Sequence, residues 1–341
     1  MNPALVPEVL AEYGAAARAV LFEYIPRREP SRHLYDLVAD YPRRGGRAFR
    51  PSLCIATARA FGRPTEDALR TAASIELLHN AMLIHDDIED ESEERRGGAT
   101  LHRVADVPRA INAGDMLTTL ALTPLFENAR VLGPWLAFRL LEETHRMVRE
   151  SIEGQAIELG WRHDNATDVS ERDYLGMVLK KTCWLTTIHP CRAGALVGTN
   201  GMIELEPFVR FGFLLGAAFQ IQDDLLNLEG DAARYGKELA GDIYEGKRTL
   251  MLIRLFERAD EGSRARLKAI LARPRGERTV QDIRWVRAAM DHHDCIGYAR
   301  KVAHGLAGAA RREFRTVFGA LPDTRDRRFI EALPAWVIER A

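Results

Sequence analysis

Ser74-Ile75-Glu76-Leu77-Leu78-His79-Asn80-Ala81-Met82-Leu83-Ile84-His85-Asp86-Asp87-Ile88-Glu89-Asp90 is an apolar run that ends in acid. Up to Ile84 its few polar groups leave several sides of a helix apolar, the pattern of a central helix rather than a surface one. Its last residues crowd carboxylates at the helix C-terminus, where they oppose the macrodipole. Residues four apart share a helical face, so Asp86 and Asp90 project together and Asp87 stands about 100° round. Inside a core such acids repel one another unless a multivalent cation joins them. Oxygen-only ligands favour magnesium or calcium over zinc. The bland alternative is a solvated acidic helix end, and Glu89, Glu91, Glu93 and Glu94 fit that description.

A second stretch, Phe219-Gln220-Ile221-Gln222-Asp223-Asp224-Leu225-Leu226-Asn227, repeats the design. Asp223 and Asn227 lie four apart, and Asp224 follows Gln220 by one turn. A glycine-rich segment comes next and holds Lys237, Asp242, Lys247 and Arg248. Cations placed after clustered carboxylates suit phosphate capture. Arg95-Arg96-Gly97-Gly98, directly after the first cluster, offers two guanidiniums on a glycine-relieved loop. Arg47 and Arg50 follow Gly45-Gly46 at a helix entrance, where backbone amides and guanidiniums converge on an anion. Lys181-Thr182 lies mid-helix in an apolar setting, and a buried cation there needs a partner such as a phosphate. His79, alone on an apolar helix, reads by chemistry alone equally well as a satisfied core residue or a ligand.

The rest of the chain sets limits. It has 341 residues, 46% of them hydrophobic, enough for a large core. Lys plus Arg is 48 against 49 for Asp plus Glu, a formal charge of -1, so no global basic field exists to attract nucleic acid. Cys54, Cys183, Cys191 and Cys295 show no CxxC spacing and read as free thiols in a reducing compartment. No signal peptide and no membrane-length apolar stretch is expected, which makes the cytoplasm the default. Periodicity predicts helices near 5–24, 50–61, 66–90, 108–129, 134–160, 171–198, 205–228, 246–258, 262–272, 279–317 with a break around 292–294, and 326–340. Ser170 with Asp173 resembles a capping box, and Thr65 offers a cap to the run that follows it. No linker or repeat interrupts this pattern, so the expectation is one all-α domain over 1–341.

Taken together these motifs resemble the trans-isoprenyl diphosphate synthases, also called polyprenyl synthetases. Asp86-Asp87-Ile88-Glu89-Asp90 looks like the family's first aspartate-rich motif, and Arg95-Arg96-Gly97 like the arginines that follow it. Asp223-Asp224-Leu225-Leu226-Asn227 looks like the second aspartate-rich motif. Gly236-Lys237 and Glu245-Gly246-Lys247-Arg248-Thr249-Leu250 resemble the closing loop. The resemblance implies an all-α bundle around a central cavity, usually a homodimer. It implies magnesium, about three ions, bridging an allylic diphosphate to both acidic clusters. Asp86, Asp90 and Asp223 would be ligands, with Asp87, Asp224 and Asn227 contributing nearby or through water. Arg95, Lys181, Lys237 and Lys247 would hold the allylic diphosphate, and Arg47, Arg50, His79 and Arg96 isopentenyl diphosphate. Thr182 and Gln220 would lie beside the reacting allyl group.

Four positions depart from the family pattern. Asn227 stands where an Asp is usual, Arg47 where a Lys is, Ala48 where a basic residue is, and Glu158 where an Asp is. Side chains just before the first cluster would form the floor of the product tunnel. Ala81 leaves space there and Met82 partly fills it, which suggests a product of about twenty carbons, with fifteen or twenty-five and more as neighbours. Two other readings compete: a class I terpene cyclase, and a non-catalytic subunit of a heteromeric synthase. The pair Asp223-Asp224 and the set Arg47, Arg50, Arg96 count against the first, and the retained aspartates against the second.

Overall fold

The computed structural model describes residues 4–229 and 240–340, and those residues are overwhelmingly helical. The main helices are α1 Leu5–Glu23, α2 Phe49–Ala60, α3 Thr65–Glu89, α4 Val107–Leu120, α5 Leu122–Val131, α6 Pro134–His163, α7 Glu171–Val178, α8 His189–Gly198 and α9 Glu206–Glu229. After the undescribed segment come α10 Gly241–Glu245, α11 Leu250–Arg258, α12 Glu261–Leu271, α13 Val280–His292, α14 Cys295–Phe318 and α15 Arg325–Glu339. Among the described residues the strands form one two-residue hairpin, β1 Glu94–Arg95 with β2 Gly98–Ala99. Its Gly97 tip turns the two arginines back toward α3.

Helix ends follow local chemistry. Ser170 and Asp173 form the expected capping box at α7, and Thr279 with Asp282 forms another at α13. Thr65 does not cap α3. It is the first helical residue, after Pro64, which makes no side-chain cap bond. The expected helix over 108–129 is two helices, because Pro124 has no N–H to return to Leu120 and Ser74 Oγ takes the Ala121 carbonyl at 2.7 Å. The expected helix at 246–258 starts only at Leu250, capped by Thr249, since Gly246 sits at φ +73°. Three helical turns over 31–44 were not anticipated from periodicity.

The expected helix over 171–198 keeps its course but changes its winding. Leu179–Ile188 is π-helical, and Pro190, which has no N–H for Thr186, follows it. Two close approaches hold this stretch. A Cβ on Gly154 of α6 would overlap the Lys181 backbone, and one on Gly216 of α9 would lie 2.6 Å from Thr187 Oγ1. Gly154 therefore meets the π stretch backbone to backbone, and Gly216 makes room for the Thr187 and Cys183 side chains, as only glycine allows.

Two clusters of buried side chains fill the interior. Leu77, Leu78 and Ile84 of α3 lie with Ile221 and Leu225 of α9 in the first. Ile75 of α3 lies with Phe208, Phe211 and Leu215 of α9 in the second. Thus α3 and α9 pass through both, as expected of central helices.

Candidate active site

A cavity of about 700 Å³ opens between α2, α3, α6, the π stretch and α9. Asp86 of α3 and Asp223 and Asp224 of α9 line it together, as do Arg47, Arg50, His79, Arg95, Arg96, Lys181, Thr182, Gln220 and Lys247. Residues spread over two hundred positions of sequence thus face one space. Lys237 lies outside the described residues.

The first cluster divides its work. Asp86 faces the cavity and is met by Lys181 Nζ at 3.2 Å, Arg95 at 3.4 Å and the Gln155 amide at 3.5 Å. Asp90 is buried, with Lys247 Nζ at 2.6 Å and Arg162 against it. Burial lifts its carboxyl to about 6 in spite of Lys247. Asp87 is fully buried, does not line the cavity, and accepts from the Tyr41 hydroxyl at 2.6 Å and from Arg95 Nε at 2.8 Å. Expected beside the metal, Asp87 has its oxygens on Arg95 and Tyr41. The 100° offset that separates it from Asp86 turns it into the core.

The second cluster is built as a relay. Tyr174 donates to one oxygen of Asp224 at 2.9 Å, and the Gln220 amide donates to the other at 2.7 Å. Gln220 Oε1 then accepts from Thr182 Oγ1 at 2.8 Å. Burial pushes the Asp224 carboxyl up, with Asp242 adding to the effect. Asp223 is a third exposed and pairs with Arg340 at 2.7 Å. Asn227 is buried and off the cavity. Its Oδ1 accepts the backbone N–H of Asp242 at 3.2 Å and its carbonyl accepts from Ala240 at 2.8 Å. Asn227 therefore organises the start of α10, and the side chain it presents to the cavity is that of Asp242.

Cations line the opposite wall. Arg50 donates to Thr186 Oγ1 at 2.8 Å, while its buried Nε has no hydrogen-bond partner. Burial draws its guanidinium down to about 10. An unpartnered buried donor beside Arg47 and Arg96 is the electrostatic signature of an anion site. Arg96 donates to the Tyr41 carbonyl at 2.9 Å and to Asn80 Oδ1 at 3.0 Å. Lys181 is clasped by Glu158 as well as Asp86. Arg248 also lines the cavity, held there by the Ala166 carbonyl at 2.9 Å and Asn165 at 2.7 Å.

Among the described residues no three acidic, histidine or cysteine side chains are already gathered into a metal cage. The donor chemistry nonetheless suits a hard divalent ion, since Asp86, Asp223 and Asp242 bring only oxygens to a cavity rimmed by cationic side chains. Arg340 and Tyr174 escaped sequence reading. Arg340 gives no local signal, because α15 alone brings it to Phe219 and Asp223. Ala81 is buried in the core and does not line the cavity, whereas Met82 and Leu83 do.

Fold and site define a class: a helical bundle with two acidic helix ends facing one cation-lined cavity. The family model for polyprenyl synthetase matches residues 31–290. The chain is 34% identical over 300 residues to the short chain isoprenyl diphosphate synthase of Methanothermobacter thermautotrophicus, with 87% of each chain covered. It superposes on the geranylgeranyl pyrophosphate synthetase of Pyrococcus horikoshii Ot3 with a TM-score of 0.85 at 31% identity, over 98% of this chain and 99% of that one. It also superposes on a geranylgeranyl pyrophosphate synthase from Corynebacterium glutamicum, complexed with isoprenyl diphosphate and magnesium, with a TM-score of 0.83 at 25% identity over 100% of both. The chain belongs to the polyprenyl synthetase family. No helix among the described residues is long and apolar enough to cross a membrane.

Proposed function

We propose that this protein is a magnesium-dependent prenyltransferase that joins isopentenyl diphosphate head to tail to an allylic diphosphate, releasing diphosphate and a trans-polyprenyl diphosphate. The observation that carries this reading is that both acidic clusters and the trio Arg47, Arg50 and Arg96 line one cavity. A terpene cyclase has no use for that trio, and a non-catalytic subunit has none for the acids.

Asp86, Asp90 and Asp223 are the proposed magnesium ligands, for about three ions. Asp242 is added to this set, while Asp87 and Asn227 leave it because their oxygens are committed elsewhere; Asp90 is itself buried off the cavity wall, and would meet an ion only as Lys247 moves from it to phosphate. When bound, magnesium neutralises charge on the departing diphosphate. Lys181 and Lys247 now rest on Asp86 and Asp90, and each can move its charge onto phosphate oxygens, while Arg95 stays anchored on Asp87 at the cavity wall. Asp224 fixes the Gln220 amide, which fixes the Thr182 hydroxyl, so the Thr182 lone pairs are oriented before an allylic cation forms. The double bond of isopentenyl diphosphate attacks that cation, and the proton lost goes to the released diphosphate. Met82, Leu83, Leu159, Met177 and Leu185 wall the cavity with apolar surface and exclude water that would quench the cation.

Exposed Phe126, Trp135, Phe138 and Ile152 form apolar surface on α5 and α6, which supports a homodimer across this face. A Phe138→Asp variant should then sediment as a monomer, and an unchanged dimer would reject that face. The two core clusters share Leu306 and Ile338, in keeping with one domain. Four buried, unpaired cysteines suit a reducing cytoplasm. The decisive assay incubates the protein with magnesium, isopentenyl diphosphate and allylic primers. Elongated diphosphates are expected, with about twenty carbons as the main length. Hydrocarbon from a primer alone, or no product at all, would overturn the reading.

A further inference from the structure

His79 and Glu76 sit one helical turn apart on α3, with His79 on the cavity wall. Glu76 Oε2 lies 3.3 Å from His79 Nδ1, and Glu76 Oε1 accepts from the Asn80 amide at 3.2 Å. Asn80 in turn receives Arg96 at 3.0 Å. We propose that Glu76 is a positioning residue for the second substrate: by accepting the Nδ1 proton of His79 it lets His79 grip the diphosphate of isopentenyl diphosphate as an imidazolium, so that binding takes up a proton. This rests on the substrate reading above and adds to it a named orienting group and a proton.

Against a fully ionised phosphate oxygen, neither neutral tautomer satisfies both sides. A neutral imidazole donates at one nitrogen and accepts at the other. With the proton on Nδ1 toward Glu76, Nε2 offers a lone pair to a phosphate oxygen, and the two repel. With the proton on Nε2, the Nδ1 lone pair faces the Glu76 carboxylate. Only the imidazolium donates to both. Glu76 keeps its charge for this purpose. Burial would raise its carboxyl, but His79, Arg96 and Arg50 hold it at about 2.

Charges on neighbouring elements explain why the proton is absent before ligand arrives. Burial is the larger cause, and Arg50 from α2 the next, of a His79 held down at about 4; Arg96 from the hairpin adds to it. Arg95 and Arg18 stand behind Arg96, and Asp223 and Arg340 beside Arg50. An incoming diphosphate neutralises the two facing arginines and adds its own anion, and both changes favour a charged ring.

The test is calorimetric titration of isopentenyl diphosphate into the full-length, magnesium-loaded enzyme near pH 7.5, in two buffers of different ionisation enthalpy. Wild type should take up about one more proton per site than His79→Gln, whose amide still donates but cannot titrate. Affinity should fall as pH rises through the bound imidazolium, and this slope should be missing in His79→Gln. Glu76→Gln should raise KM for isopentenyl diphosphate by about 10- to 100-fold, with kcat and the primer KM within a few-fold. Equal proton counts in wild type and His79→Gln would overturn the proposal even if Glu76→Gln misfolds. Failure of the wild type to bind isopentenyl diphosphate at all would instead reject the substrate reading, and the proposal with it.

Discussion

Asp86 and Asp87 are neighbours in sequence with opposite surroundings. Asp86 reaches the cavity and Asp87 none of it. Asp86→Asn should therefore cut activity by roughly a hundredfold or more while moving stability by less than about 1 kcal/mol, as product assay and urea unfolding would show. Asp87→Asn should behave the other way. It strips Arg95 of its buried counter-charge, and loss of about 3–5 kcal/mol in the same unfolding experiment is expected. Asn227 carries a second contrast. Asn227→Asp keeps an acceptor for the Asp242 N–H but adds a buried negative charge near Asp224 and Asp242. The metal-free protein should lose about 1–3 kcal/mol, and thermal unfolding with added magnesium should show that gap narrowing. Sequence spacing marks these positions as carboxylates and an amide at two helix ends. It could not tell which oxygens were spent inside the core.

Helix positions were legible because apolar spacing and caps are local. Ser170 with Asp173 marked α7, and the break at Asp294, φ +51°, separated α13 from α14 where expected. What periodicity could not show was the π winding of Leu179–Ile188, since the side chains remain helical in spacing to a first reading. In that stretch the Lys180–Lys181 backbone lies against α6 at Gly154. Gly154→Ala inserts a methyl into the Lys181 backbone, and about 1–3 kcal/mol of destabilisation is expected by thermal unfolding. The same shift should lower kcat well beyond what residual folding explains, because small displacements of positioned groups are costly. A kcat within twofold of wild type would show that the π stretch does not need this contact.

For the whole molecule, the question is how long a product the cavity admits. Its apolar lining includes Met82 and Leu83 of α3, Ile152 and Leu159 of α6, and Met177 and Leu185 around the π stretch. Met82→Phe should shorten the main product on reversed-phase chromatography, whereas Ala81, buried in the core, should set stability rather than length. An unshortened product from Met82→Phe would move the floor to α6. Ile152 lines the cavity and is also 60% exposed, so the wall on that side of α6 reaches the protein surface.

By itself the sequence determined the helical class, the two acidic helix ends, the arginine-rich turns and the family, because each is written in short-range spacing. Tertiary packing alone decided that Asp86 faces the cavity and Asp87 the core, and that Asp242 stands in front of Asn227. It alone brought Arg340 to Asp223. The reason is geometric: helical periodicity tells which residues share a face, but only the packing of distant helices tells which face meets the empty space.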